Sequence, residues 1–396
     1  MQRRLRRRRF LVAAFGDAGH AFPAIALARA LRDRGHEVVV ETWEHWRDVV
    51  EGEGLGFTAA EEYTTFPPTP AEGATAADAA LALVPLVEEM RPDAVVSDIL
   101  TVAPALAAEV AGARRVTLIP HVYPVHQPGL PLFAVGAQPP RTPVGRALWR
   151  AAGPVLSAGL RRGRREMNET RARVGLAPVE DYQGGLNSDL ALVATFPGLE
   201  YPRSWPAQTH VTGPMSFELP FGDVGLQAGD APLVVVAPST AQDPERRLVR
   251  TALEALAGEP VRVLATTNQL DVPVPMPEAP ANAVVVDWLS YSQVMPLADL
   301  VVTHGGHGTV CRALAAGAPL LCCPAVGDMA ENAARVQWAG AGLMLPGRLA
   351  RPAALRSVVR RMLGDQRFAS RARAFAQWAA ANDGADRGAE LVERLA

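Results

Sequence analysis

Residues 304–309 read His-Gly-Gly-His-Gly-Thr, the densest chemistry in the chain. The apolar run Leu300–Thr303 before them has the pattern of a strand, and a helix pattern opens at Thr309. Glycines there let a ligand approach the backbone closely. A helix start offers free N–H groups and partial positive charge, so the pair can seat a phosphate, with His304 beside it. No Gly-Lys-Ser/Thr follows, so this is not a Walker loop, and neither half of the chain carries the Gly-x-Gly-x-x-Gly dinucleotide pattern. The competing reading is a tight strand-to-helix turn whose glycines serve packing alone.

The elements that would position such a loop alternate, strand then helix, along nearly the whole chain, which marks an α/β architecture with parallel sheets. In the first half, strands are expected at 10–14, Glu37–Thr42, Ala94–Asp98, Arg114–Ile119 and 189–195. Residues 16–20 read as a turn, followed by a helix with Pro23 in its first turn and an end near Gly35. Alternation fails from 197 to 232, which is rich in Pro and Gly. It restarts with strands at Leu233–Ala237, 261–266, Ala283–Val286, Leu300–Thr303 and 320–323, and with helices at 244–256, 309–316 and 328–339. The expected organisation is two Rossmann-like domains facing a cleft. These are an N-terminal domain over 1–205, a linker over 206–232, a C-terminal domain over 233–380, and a last helix, 381–396, packing back on the first domain.

Bulk properties agree. At 396 residues the chain exceeds one ordinary core, so two domains are the prior. A net charge of −2 gives no electrostatic case for nucleic acid. Three cysteines, Cys311, Cys322 and Cys323, have neither disulfide-framework nor metal-ligand spacing and read as small buried residues, which fits a reducing, cytoplasmic setting. The arginines at 3–9 precede an apolar run of only six residues, 10–15, shorter than the core of an export signal. They read as a basic leader into the first strand, with the start codon left open. No stretch reaches the roughly 20 apolar residues of a membrane span.

The flanks of the glycine loop narrow the reading. Val286-Asp287-Trp288-Leu289 lies upstream, and Gly317-Ala-Pro319 and Gly327-Asp328-Met-Ala-Glu331-Asn332-Ala-Ala-Arg335-Val336 lie downstream. In that order these pieces resemble the nucleotide-sugar-dependent glycosyltransferases of the GT-B fold, in the family that holds plant secondary-metabolite glucosyltransferases and bacterial macrolide and antibiotic glycosyltransferases. The resemblance spans nearly the whole chain and is strongest from about 287 to 345. It implies that Trp288 stacks on the nucleobase while the Leu289 backbone reads its edge. It further implies that His304 contacts the diphosphate, with Gly306, Gly308 and Thr309 donating from the loop. Asp328 would bind sugar hydroxyls, and Ser239 and Thr240 would approach the phosphates or sugar. Two positions depart from the family: Arg312 stands where relatives carry a glutamate that holds the ribose, and Met329 where they often carry glutamine. A guanidinium can only donate, so Arg312 is expected to reinforce the diphosphate or to pair with Glu331, and Glu331 or Asn332 to supply the missing acceptors.

The same resemblance covers Gly19-His20-Ala-Phe-Pro23, where the family has its catalytic histidine, and Asp98 matches that histidine's partner. The chemistry agrees. A neutral imidazole can take the proton of a barely acidic alcohol, and a carboxylate on its other nitrogen fixes the tautomer and stabilises the imidazolium. No Asp-x-Asp pair is present to chelate a metal, so no metal and no resident cofactor are expected. One displacement by a base-activated hydroxyl inverts the anomeric carbon. The acceptor, a hydrophobic small molecule, is expected on the N-terminal domain near Phe66, His121, Tyr123 and Phe133, and the donor is a UDP- or dTDP-sugar. The oligomeric expectation is a monomer or homodimer. Alternatives on this scaffold are a nucleotide-sugar epimerase, a lipid-linked sugar transferase, or a non-catalytic helper of a partner transferase. The arginine run at 161–165 reads as a solvated helix face, with contact to an anionic acceptor or membrane surface as the minority reading.

Overall fold

The computed structural model describes residues 6–60, 75–181, 188–219, 229–239, 243, 245–268, 278–325 and 327–396. Its first sheet is built from β1 (Arg9–Ala13), β2 (Glu37–Thr42), β3 (Gly56–Ala59), β4 (Ala94–Asp98), β5 (Arg114–Ile119), β6 (Leu190–Val193) and β7 (Thr209–Val211). These lie in the order 3-2-1-4-5-6-7 with every pair parallel. The second sheet holds β8 (Leu233–Ala237), β9 (Arg262–Thr266), β10 (Ala283–Val286), β11 (Leu300–Thr303), β12 (Leu320–Cys322) and β13 (Gly342–Met344). Its order is 10-9-8-11-12-13, again all parallel. Central strands buried on both faces need continuous apolar runs, and Phe10-Leu-Val and Leu233-Val-Val-Val supply them with at most 2% exposure.

Each sheet reverses its order beside its first strand, between β1 and β4 and between β8 and β11. Open parallel sheets bind ligands outside the carboxyl ends of their strands at such a switch. His20 follows β1 and Asp98 ends β4, while Ser239 follows β8 and His304 follows β11. The topology therefore delivers the candidate groups to the two facing edges.

Several boundaries differ from the sequence reading, for local reasons. The first helix, Ala18–Asp33, begins before Pro23 because the Asp17 side chain accepts from the Gly19 N–H and caps it, so His20 sits in its first turn and Pro23 inside it. The helix after the glycine loop, His307–Ala315, likewise opens two residues early. The helix expected over 244–256 starts at Arg247, where the Asp243 carboxylate receives the N–H groups of Arg247 and Leu248. Residues 209–211, inside the stretch read as linker, form β7 at the edge of the first sheet.

The last helix, Gly384–Leu395, packs on Ala18–Asp33, where Ala389, Leu391 and Val392 join Leu27 and Leu31 in one core. Gly388 allows the approach: a Cβ there would meet Leu27 at 3.2 Å. Arg34 and His36 both reach Glu393 on that helix. The halves also share apolar packing, since Phe196 meets the rings of Phe375 and Trp378 at 5.1 and 5.5 Å. No helix among the described residues is long and apolar enough to cross a membrane.

Candidate active site

His20 projects from the first turn of its helix, and its Nδ1 lies 2.7 Å from Asp98 Oδ2. The Asp98 side chain is fully buried, and its other oxygen accepts from the Leu100 N–H. Burial pulls the His20 pKa down, but the carboxylates around it, Asp98 foremost and then Asp17 and Asp328, together raise it above its ordinary value. With Nδ1–H donated to Asp98, Nε2 is the nitrogen left to accept a proton. Asp328 comes from the other domain, so its influence on His20 crosses the cleft.

Facing this pair is the glycine loop. Gly305 has φ +91°, a conformation that favours glycine, and a Cβ there would lie 2.9 Å from the Met329 carbonyl oxygen. A Cβ on Gly306 would lie 2.3 Å from His304 Nε2, so the loop closes only around a hydrogen. His304 Nδ1 lies 3.3 Å from the Ala237 carbonyl, and burial pushes the ring's pKa down. A diphosphate placed against it would favour the imidazolium again. Behind the loop His307 is buried and held neutral, its pKa lowered to about 4 by burial.

The cleft between the halves is about 580 Å³, within the range of small-molecule sites. His20, His121 and Phe133 line its N-terminal wall. The wall opposite is lined by Ser239, Trp288, Leu289, His304, Gly306, Gly308, Thr309, Arg312 and Asp328. The His121 ring stands 6.3 Å from that of His20 and 5.7 Å from that of Phe133, and its Nδ1 donates to the Val122 carbonyl. Burial lowers the His121 pKa, the opposite of its neighbour.

Comparison with known proteins places the chain. Residues 253–395 match the family model described as erythromycin biosynthesis protein CIII-like, C-terminal domain. The chain is 31% identical to O-mycaminosyltylonolide 6-deoxyallosyltransferase of Streptomyces fradiae, across 98% of this chain and 97% of that one. It belongs to the natural-product glycosyltransferases. A second relative, 4'-demethylrebeccamycin synthase of Lentzea aerocolonigenes, is 29% identical over 98% of this chain and 99% of its own. Solved structures agree on the fold. A kitacinnamycin glycotransferase superposes with TM-score 0.78 at 21% identity, covering 98% of this chain and 99% of its own. The glycosyltransferase VinC, in complex with dTDP, gives 0.71 at 21% with the same coverage. The protein is therefore a GT-B glycosyltransferase that transfers sugar to a small-molecule acceptor.

In this glycosyltransferase four expected site residues are used otherwise. Glu331 is 2% exposed and accepts from Arg335 Nε at 2.9 Å, so it neither faces the ribose nor meets Arg312. The i,i+4 spacing of Glu331 and Arg335 is a signal the sequence carried. Asn332 is also buried; its amide donates to the Gly305 carbonyl at 3.0 Å and so braces the loop from behind. Arg312 lines the cleft but donates to the Phe217 carbonyl and lies 6.0 Å from the Phe22 ring centroid, which ties it to the interdomain segment and the N-terminal domain. Tyr123 lies away from the cleft, 4% exposed, its ring 5.1 Å from Trp205 and its N–H on the Glu200 carboxylate. Phe66 and Thr240 fall outside the described residues.

Three cleft residues escaped the sequence reading. Asn268, at φ +52°, holds the Pro238 carbonyl and the Tyr291 hydroxyl from beyond the end of β9. Its place after a parallel strand was the available signal. Tyr291 itself faces the cleft, and Glu218 from the interdomain segment accepts from the Tyr291 and Ser292 N–H groups. Nothing local in the sequence marks Glu218.

Proposed function

We propose that the chain transfers a deoxysugar from thymidine diphosphate to a hydroxyl of a hydrophobic natural-product acceptor, with inversion and without a metal. The observation that carries the mechanism is His20 held by Asp98 across the cleft from the glycine loop. In the step, the acceptor O–H proton passes to His20 Nε2 as its oxygen bonds to the anomeric carbon. The bond from that carbon to the diphosphate breaks, and the leaving charge falls to His304 and the N–H groups at the start of the His307–Ala315 helix. Asp98 stabilises the imidazolium and does not itself take the proton.

Arg312 supports thymidine over uridine. No carboxylate stands there to accept from a ribose diol, its guanidinium is engaged by Phe217, and a thymidine sugar has one hydroxyl fewer to satisfy. Met329, apolar and 6% exposed at the cleft, supports a sugar lacking a hydroxyl, because no buried polar group is left unpaired when that hydroxyl is missing. The S. fradiae relative is by name a 6-deoxyallosyltransferase, and the VinC structure holds dTDP.

The test incubates the purified protein with thymidine and uridine diphosphate sugars and pooled polycyclic, phenolic and macrolide aglycones, in excess EDTA, and reads products by mass and anomeric configuration by NMR. Inverted products from a dTDP-deoxysugar are the expected result. Retention of configuration, a requirement for added magnesium or manganese, or a preference above about 10²-fold for the glucose donor over its deoxy counterpart would overturn the corresponding part.

A further inference from the structure

Between Glu109 and Glu166 the chain has no acidic residue, and residues 141–165 carry seven arginines, although the protein as a whole has a net charge of −2. This stretch folds as two surface helices, Pro143–Ala151 and Gly153–Arg173. The first buries none of its residues. Val144 and Leu148, 70% and 69% exposed, are the two most exposed large apolar side chains among the described residues. Spaced i,i+4, they form with Ala147 and Ala151 a single apolar stripe open to solvent. Arg146 and Arg150 lie on the other side of the helix, and Arg161 and Arg165 are exposed on the next one. A helix with an apolar stripe on one side and arginines on the other has the pattern of one that lies in a membrane interface, its apolar side chains among the acyl chains and its long guanidinium side chains reaching the phosphates.

We propose that this face docks the protein on an anionic lipid surface. Charge selects the occupant. A second copy placed symmetrically on the same face would bring two arginine-rich surfaces together, with the nearest acid, Glu166, already paired to Arg162, whereas an anionic bilayer strengthens binding about fivefold for each arginine brought near it. The position gives the docking a use. Arg150 lies against Gly129, within the segment that runs from His121 to Phe133, and both of those residues line the cleft. The docked face thus lies at the acceptor end of the N-terminal domain, where a hydrophobic acceptor dissolved in the bilayer would enter. That use rests on the acceptor assignment above, whereas the docking does not.

The test is flotation of the full chain with vesicles of phosphatidylcholine alone and of phosphatidylcholine with one-third phosphatidylglycerol, at physiological and at high salt. The protein is expected to float with the anionic vesicles only and to be released by high salt. The double variant Arg146→Glu/Arg150→Glu should bind at least about tenfold more weakly, and Leu148→Asp should bind more weakly as well. Both should still transfer sugar to a water-soluble acceptor without vesicles, which shows that they are folded and separates this test from that of the reaction. No flotation, equal flotation with neutral vesicles, or indifference to these substitutions overturns the proposal. So does a concentration-dependent dimer, seen by sedimentation, that Leu148→Asp dissolves, because the stripe would then belong to a second copy.

Discussion

His20 and His121 stand 6.3 Å apart, yet burial and partners send their basicity in opposite directions. His121 has only the Val122 carbonyl on its Nδ1 and stays neutral, suited to accepting a hydrogen bond from the acceptor molecule. His20 has the buried carboxylate. Removing that carboxylate leaves burial opposed only by the smaller influences of Asp17 and Asp328, so Asp98→Asn should lower the His20 pKa as well as slow the reaction. The sign of the pH effect follows from the need for neutral His20. In the native protein kcat/KM should fall as pH drops through a pKa above the ordinary histidine value of about 6.5. In Asp98→Asn that acid limb should move to lower pH, while turnover falls by roughly 10²–10⁴, the scale of a positioned base. A pH–rate profile on an aliphatic alcohol acceptor reads both quantities, and a limb that stays in place would show that Asp98 does not tune the base.

At the scale of elements, the glycine loop makes a separable prediction. Gly306→Ala must displace the His304 ring, because the added carbon falls 2.3 Å from Nε2, whereas Gly308→Ala meets only the movable end of Arg312 at 3.2 Å. The first should raise the donor KM by about tenfold or more, the size of one lost hydrogen bond to a charged group, and the second should stay near wild type. Equal effects in the two variants would mean that the loop does not act through His304. The loop and its flanking strands were legible because parallel strands buried on both faces are continuous apolar runs, and Leu233–Ala237 and Leu300–Thr303 are short runs of that kind bounded by turn residues. Helix starts were less legible. Asp17 caps the first helix ahead of Pro23, and Asp243 holds back the start of the Arg247 helix, both through single side-chain contacts that periodicity does not see. β7 was hidden because three residues between prolines take their strand identity from the neighbouring β6. Side-chain partners were the least legible: whether Tyr123 faces an acceptor or Glu200 is decided by a residue 77 positions away.

Across the whole molecule, the two halves are joined beneath the cleft by a buried ionic cluster to which both contribute. Arg335, on the Asp328–Trp338 helix of the C-terminal domain, bonds Glu331 on its own helix at 2.9 Å and Glu200 of the N-terminal half at 2.7 Å. All three side chains are at most 4% exposed. The guanidinium also lies 4.2 Å from the Tyr201 ring centroid. Burial already raises the Glu331 pKa against the pull of Arg335, so this carboxylate is held charged at a cost. Arg335→Met should therefore leave two buried acids facing one another and destabilise the protein by about 3–5 kcal/mol, the scale for breaking a buried pair from one side. The loss should appear as uncoupling, since Glu200 is the N-terminal half's stake in the contact. Calorimetry should then resolve two transitions where the native chain shows one. Adding Glu200→Gln and Glu331→Gln removes the unpaired charges, and the triple variant should recover most of the loss, because replacing a whole buried ionic cluster is far less costly than breaking it. A single Arg335→Met variant that unfolds in one transition within about 1 kcal/mol of wild type would show that the halves are held by Phe196 and the return of the Gly384–Leu395 helix instead.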